Sequence, residues 1–262
     1  MIELNENRYN IVFEPLRQVD FNTLFIRSVL VGDAGGKIFV DAVDEPKSYY
    51  VIHDCGMSLL FGAADNEQFN QELSDYFLQK NEPGKKDEWL QSFPRAWDQV
   101  MEKITKTGRA IRYNRLNFSF DKSDYQKNNS HILPADYSVV RTTPKIYSAI
   151  NGSIIPQAYW RDQDILFKKC VSFTVMADQE PASTAFTANL HDDKLELGIE
   201  TQEKYRGKGL ARIACMALIN YCLENSLEPI WTCRLENTAS ANLAKRLGFR
   251  ETMRAPYYHI PV

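Results

Sequence analysis

Apolar positions between residues 195 and 224 change period on either side of two glycines. Leu195, Leu197 and Ile199 alternate with Glu196, Gly198 and Glu200 at the spacing of a strand, whereas Leu210, Ile213, Ala214, Ala217, Leu218 and Tyr221 recur at that of a helix. This predicts a strand ending at Thr201, a turn through Gly207 and Gly209, and a helix over 210–224 whose apolar stripe faces the sheet. Downstream, the pattern predicts a strand over 228–234, then a helix N-capped by Asn237 with Gly248 at C′, and a last strand carrying Tyr257, Tyr258 and His259. Upstream, it predicts a strand over 137–141, helices over 144–150 and 162–169, and a hairpin pairing 170–177 with 182–189. His191, Asp192 and Asp193 read as the turn into the strand ending at Thr201.

The first half has a different texture. Residues 24–31, 37–43 and 48–53 are rich in β-branched and aromatic side chains and separated by turn residues, which predicts an antiparallel meander. Gly32 to Ile38 comes near a Walker loop but lacks its first glycine and its Ser or Thr, so it reads as a turn. Phe69, Leu73 and Phe77 predict a helix over 66–80; Trp89, Phe93, Trp97, Val100 and Ile104 predict another over 86–105, kinked at Pro94. A strand is expected over 109–120. The polar tract 121–130 reads as a linker, which divides the chain into domains 1–130 and 131–262.

Composition narrows the classes. A chain of 262 residues with 44% hydrophobic content can bury a substantial core, and 31 basic against 34 acidic residues without a single-sign block argue against a nucleic-acid surface. The N-terminus lacks a basic-then-apolar leader and no apolar run reaches membrane-spanning length, so the expectation is a cytoplasmic protein without a membrane partner. Five cysteines without C-x-x-C spacing predict reduced, mostly buried thiols rather than a disulfide framework or a metal site. The composition is compatible with a homodimer.

The glycine turn carries the chemistry. Gly207 and Gly209 let backbone approach an anion, the following helix offers free N–H groups and a positive dipole end, and Arg206 and Lys208 add charge. The spacing fits neither G-x-G-x-x-G nor a Walker loop, so a different pyrophosphate is wanted.

The run Lys204-Tyr205-Arg206-Gly207-Lys208-Gly209 resembles the acyl-CoA loop of the GNAT superfamily of N-acetyltransferases, with Lys where Gln or Arg is usual. Trp231 to Ser240, running into Leu247-Gly248-Phe249, is similar to that superfamily's next strand, its Asn-x-x-Ser helix start and its terminal Leu-Gly-Phe. Gly198-Ile199-Glu200-Thr201, Tyr205 to Ala211 and Trp231-Thr232-Cys233 look most like the bacterial group that includes zwittermicin-resistance acetyltransferases. The resemblance covers the chain from about residue 134 onward. It implies a GNAT fold, an α/β arrangement with a central mixed, mostly antiparallel sheet flanked by helices, and a strand-rich N-terminal domain that reads as a degenerate GNAT-like unit shaping the acceptor site.

The resemblance further implies acetyl-CoA as cosubstrate, with Ile199, Glu200 and Thr201 offering backbone groups to the pantetheine arm. Lys204, Arg206, Gly207, Lys208, Gly209, Leu210 and Ala211 would surround the pyrophosphate, and Asn237 and Ser240 would contact the cofactor. The implied reaction is acetyl transfer to a primary amine of a small molecule by direct attack; a non-catalytic acyl-CoA sensor is the alternative. An amine of pKa about 10 must lose a proton before attacking. Glu196 and Glu200, on one face of their strand, are candidate bases, with Asp193 a third that reads better as a turn residue. The family tyrosine seven positions after the motif Asn is replaced by Ala244, which leaves Tyr257, Tyr258 or His259 as proton donors, Tyr257 foremost. Cys233 reads as a small buried hydrophobe rather than a nucleophile.

Overall fold

Twice along the chain a helix is followed by three antiparallel strands, a crossover helix, a parallel strand, a further helix and a long strand. The structure is a computed structural model that describes residues 1–79, 86–127 and 133–262. After β1 (Ile2–Glu3) and α1 (Phe13–Leu16), the first pass comprises α2 (Leu24–Leu30), β2 (Gly36–Val40), β3 (Ser48–His53), β4 (Met57–Gly62), α3 (Glu67–Leu78), β5 (Glu88–Phe93), α4 (Trp97–Lys106) and β6 (Ile111–Phe120). Between the passes lie α5 (Lys122–Lys127), β7 (Tyr137–Arg141) and α6 (Pro144–Tyr147). The second comprises α7 (Gln163–Lys169), β8 (Ser172–Ala177), β9 (Glu180–His191), β10 (Lys194–Thr201), α8 (Leu210–Glu224), β11 (Glu228–Arg234), α9 (Thr238–Arg246) and β12 (Phe249–Ile260).

The chain divides into two units. The first is Met1–Leu116 with Arg234–Glu236 and Arg254–Val262; the second is Asn117–Cys233 with Asn237–Met253. In the first unit β1 to β4 pair antiparallel in sequence order, β4 and β5 are parallel, and β12 lies antiparallel on β5 with Tyr257 opposite Gln91 and Ile260 opposite Glu88. Phe25, Ile26 and Val29 of α2 pack with Ile38, Val51, Leu59 and Phe61 in one core. Phe69, Leu73 and Phe77 of α3 and Trp97, Met101 and Ile104 of α4 pack with Leu60, Leu90 and Tyr258 in another. The second unit repeats the scheme: β7 to β10 pair antiparallel in order and β10 and β11 are parallel. Leu210, Ile213, Ala214, Leu218 and Cys222 form the buried stripe of α8, which packs on β8, β9 and β10.

Several expected elements have the observed bounds: 48–53, 137–141, 210–224 and 228–234. Asp192 and Asp193 form the two-residue turn between β9 and β10, Asp192 at φ 53°. Three readings are corrected. The expected strand over 24–31 is instead the helix α2, Leu24–Leu30, and 31–35 join it to β2. Nearly every residue of α2 is buried, so its sequence has no period to distinguish helix from strand, and the Asn22 side chain starts the turn by accepting the Leu24 N–H.

Residues 88–93 are a strand, not the first half of a helix, and the helix begins only at Trp97, beyond Pro94. The hydrogen-bonding partners of β5 are β4 and the far C-terminal β12, which lie outside any local window. The tract read as a linker is helical over Lys122–Lys127, with Tyr125 buried and its hydroxyl 2.7 Å from Asn220 Oδ1. Residues 128–130 of that tract, and Lys80 of the expected 66–80 helix, lie outside the described residues. All five cysteines are thiols outside any disulfide, four of them buried. Among the described residues no helix is long and apolar enough to cross a membrane.

Candidate functional site

The parallel pair β10 and β11 is in register only from Lys194 opposite Glu228 to Glu196 opposite Ile230. Both strands continue, β10 to Thr201 and β11 to Arg234, so beyond that point they form a fork. Its β10 side carries usable backbone groups. Gln202 donates its N–H to Ala182 O, which by period two directs the backbone groups of Glu200 and Gly198 toward β9 and those of Leu197, Ile199 and Thr201 into the fork. Of the three residues expected to present backbone to a pantetheine arm, Ile199 and Thr201 have that orientation, but the Thr201 N–H is donated to Glu200 Oε1 at 3.2 Å and its carbonyl accepts from Arg206. Glu200 has the opposite one.

Past Thr201 the chain turns through Glu203–Tyr205 and the two glycines into α8. Gly207 and Gly209 have φ of 79° and 77°, a region where a side chain is strained, and a Cβ on Gly207 would meet nothing within 4 Å. Gly209 is the N-cap of α8, no side chain caps the helix and its first turn holds no acidic residue. The Leu210 and Ala211 N–H groups therefore have no side-chain cap and no acidic neighbour offsets the helix dipole, which suits an anion, while the Arg212 N–H bonds Gly209 O. Arg206 donates from Nε to Thr201 O at 3.1 Å, so its guanidinium lies beside the turn. Lys204 pairs with Glu180, and Lys208 stands 5.2 Å from the centre of the Tyr205 ring. Arg206 and Lys208 thus bring two cations to the turn.

The two candidate bases have different surroundings. Glu196, 5% exposed, lies where the register ends, with Oε2 2.9 Å from Asn189 Nδ2 and Oε1 2.7 Å from Thr232 Oγ1. Donors from both neighbouring strands thus hold a buried carboxylate at the base of the fork. Glu200 is turned to the segment 151–154, where its Oε2 accepts the N–H groups of Ser153 and Ile154. Sequence spacing identified both glutamates but missed Asn189, Thr232 and the 153–154 amides; only the register of β9, β10 and β11 brings the first two to Glu196.

The other expected residues have assigned partners. Asn237 caps α9 by accepting the Ser240 N–H at 3.1 Å, and Ser240 Oγ accepts from Trp231 Nε1 at 3.1 Å. Leu210 is buried under the first turn of α8, and Ala211 is half-buried beside it. Ala244 is fully buried in α9, and Cys233 is buried on β11. Tyr257 belongs to the first unit: its hydroxyl accepts from Arg115 Nη1 at 3.0 Å, its ring stacks on Trp89, and burial raises its pKa against the opposing pull of Arg115. Tyr258, in the same unit, is pushed up to about 12 by burial and the neighbouring Asp98. His259 pairs through Nε2 with Asp87 at 2.9 Å.

Comparison with known proteins matches the family described as GNAT acetyltransferase over residues 16–258. The chain is 27% identical over 237 residues to the uncharacterised N-acetyltransferase YdfB of Bacillus subtilis strain 168, covering 90% of this chain and 89% of that one. Among solved structures, the GCN5-related N-acetyltransferase-like protein of Streptococcus suis aligns with a TM-score of 0.74 at 20% identity, over 96% of this chain and 98% of the other. A tandem GNAT protein from the clavulanic acid biosynthesis pathway, solved without AcCoA, aligns with a TM-score of 0.64 at 10% identity over 99% and 97%. The architecture is the GNAT fold, with its mixed, mostly antiparallel sheet flanked by helices.

Proposed function

The chain belongs to the GNAT acetyltransferase family, and from that premise we propose that it is an acetyl-CoA-dependent enzyme acetylating a primary amine of a small molecule by direct attack. The observation that carries this reading is the fork between β10 and β11, opening next to a glycine turn whose helix N-terminus is uncapped. Acetyl-CoA supplies an activated acyl carbonyl. The N–H groups from Gly207 to Ala211, with Arg206 and Lys208, hold the diphosphate. Ile199 aligns the pantetheine arm along the open edge of β10, and Asn237 and Ser240 border it from α9. A backbone N–H on that edge stabilises negative charge developing on the carbonyl oxygen.

Glu196 takes the amine proton. It is a carboxylate held by Asn189 and Thr232 at the base of the fork, whereas Glu200 is occupied by backbone amides. Tyr257, in the other unit, is assigned no step. The likeness to zwittermicin-resistance acetyltransferases points the acceptor search toward aminated antibiotics and related metabolites.

The first unit has the strand order of the second but a different helix start. Asn66 accepts the Phe69 N–H at 3.0 Å and Glu67 sits in the first turn of α3, so that terminus is capped and negatively biased. We infer that this unit is a second copy of the fold that takes no cofactor, and that its task is acceptor selection.

Thiol release from acetyl-CoA in the presence of a panel of primary amines tests the proposal: amine-dependent release is expected. Tight binding of acetyl-CoA with no release for any amine would favour the acyl-CoA sensor, to which the buried Ala244 in place of the family tyrosine lends its support.

A further inference from the structure

Ser153, Ile154 and Arg206 converge on a single carboxylate. Glu200 Oε2 accepts the backbone N–H of Ile154 at 2.9 Å and of Ser153 at 3.1 Å, with Ser153 Oγ at 3.4 Å. Its Oε1 accepts the Thr201 N–H at 3.2 Å and lies 3.6 Å from Arg206 Nη2. Residues 151–154 are exposed and bracketed by the buried Ile150 and Pro156, and Glu200, its side chain only 10% exposed, reaches them from β10. The approach is close enough to select a residue type. Gly152 has φ 151°, and a Cβ there would fall 2.5 to 2.6 Å from Cγ, Cδ and Oε2 of Glu200.

Two consecutive N–H groups aimed at one oxygen make a donor pair for an anion, and bonds to an ionised carboxylate are the stronger kind. Arg206 draws on the same charge from the other side. Its side chain is 63% exposed, so the guanidinium can swing toward the glycine turn without disturbing the core.

We propose that Glu200 is a positioning residue coupling the diphosphate cradle to residues 151–154. An anion in the cradle draws Arg206 off the carboxylate, and Glu200 then closes more firmly on the Ser153 and Ile154 amides. Because coupling is reciprocal, whatever fixes 151–154 in this arrangement raises affinity for the anion. The inference rests on the reading of Gly207 to Ala211 as a diphosphate site, and it gives Glu200 a role other than base.

The test is amide hydrogen exchange on the full chain, alone, with CoA and with inorganic pyrophosphate. In the unaltered protein, exchange at Ser153 and Ile154 slows about fivefold or more with either ligand, the lower end of ordinary coupling. Glu200→Gln still binds CoA by calorimetry but loses that response. Arg206→Gln, at an exposed side chain, shows the slowed exchange with no ligand present. CoA binding without slowing at the two amides, or an equal response in Glu200→Gln, overturns the proposal; absence of any CoA binding overturns the cradle reading with it.

Discussion

Gly209 holds φ 77°, a conformation side chains rarely adopt, at the N-cap of α8, where no side chain caps the helix. Gly209→Trp places an indole at that helix start, so CoA binding should vanish by calorimetry while far-UV dichroism stays close to that of the parent. Glu196→Gln keeps the volume and the Asn189 and Thr232 neighbours but removes the carboxylate proposed as base. Its kcat should fall by about 10²–10⁴, with KM for acetyl-CoA little changed.

His53, in the first unit, accepts the Cys55 N–H at Nδ1 over 2.9 Å. Burial lowers its pKa to about 4, so the folded state holds it neutral through a range where the unfolded chain, with a pKa of about 6.5, takes up a proton. The stability it contributes is present above about pH 6.5 and is lost as pH falls toward 4. Between pH 7 and 5 that amounts to about 2 kcal/mol. Urea unfolding at the two pH values checks it, and His53→Gln should show a shallower acid slope.

At the scale of elements, helix starts separate the two passes more sharply than strand order does. Asn66 and Asn237 are both N-caps, each accepting from the N–H three residues on, and replacing either with Ala should cost about 1 kcal/mol in urea unfolding. Only Asn237→Ala should also weaken CoA binding, because α9 borders the arm of the cofactor in the proposed reading and α3 does not. Legibility varied with the kind of element. The helix over 210–224 and the strand over 228–234 have a clear period and punctuating glycine or asparagine residues, so pattern alone gave their bounds. In α2 burial on all sides erased the period, and in β5 the pairing that makes Glu88–Phe93 a strand comes from residues 257–260.

The chain builds one strand scheme twice, with the crossover helix capped by Asn66 in the first copy and without a side-chain cap in the second. Calorimetric titration should therefore give one CoA per chain; two would refute the inference that the first unit takes none. The C-terminal half of β12 pairs with β5 and belongs to the first unit. Ending the chain at Met253 would expose the edge of β5 and remove Tyr258 and Ile260 from the α3 and α4 core, so the first unit should lose its cooperative unfolding transition.

Local chemistry was enough to mark the glycine turn, the N-cap of α9 and both glutamates, because backbone freedom, capping and period act within a few residues. What Glu196 and Glu200 each face was decided by long-range pairing. The end of the β10 and β11 register puts Thr232 against one carboxylate, and the return of 151–154 puts two amides against the other. Two acidic residues four apart on a strand are equivalent in sequence; contacts from distant segments make them different.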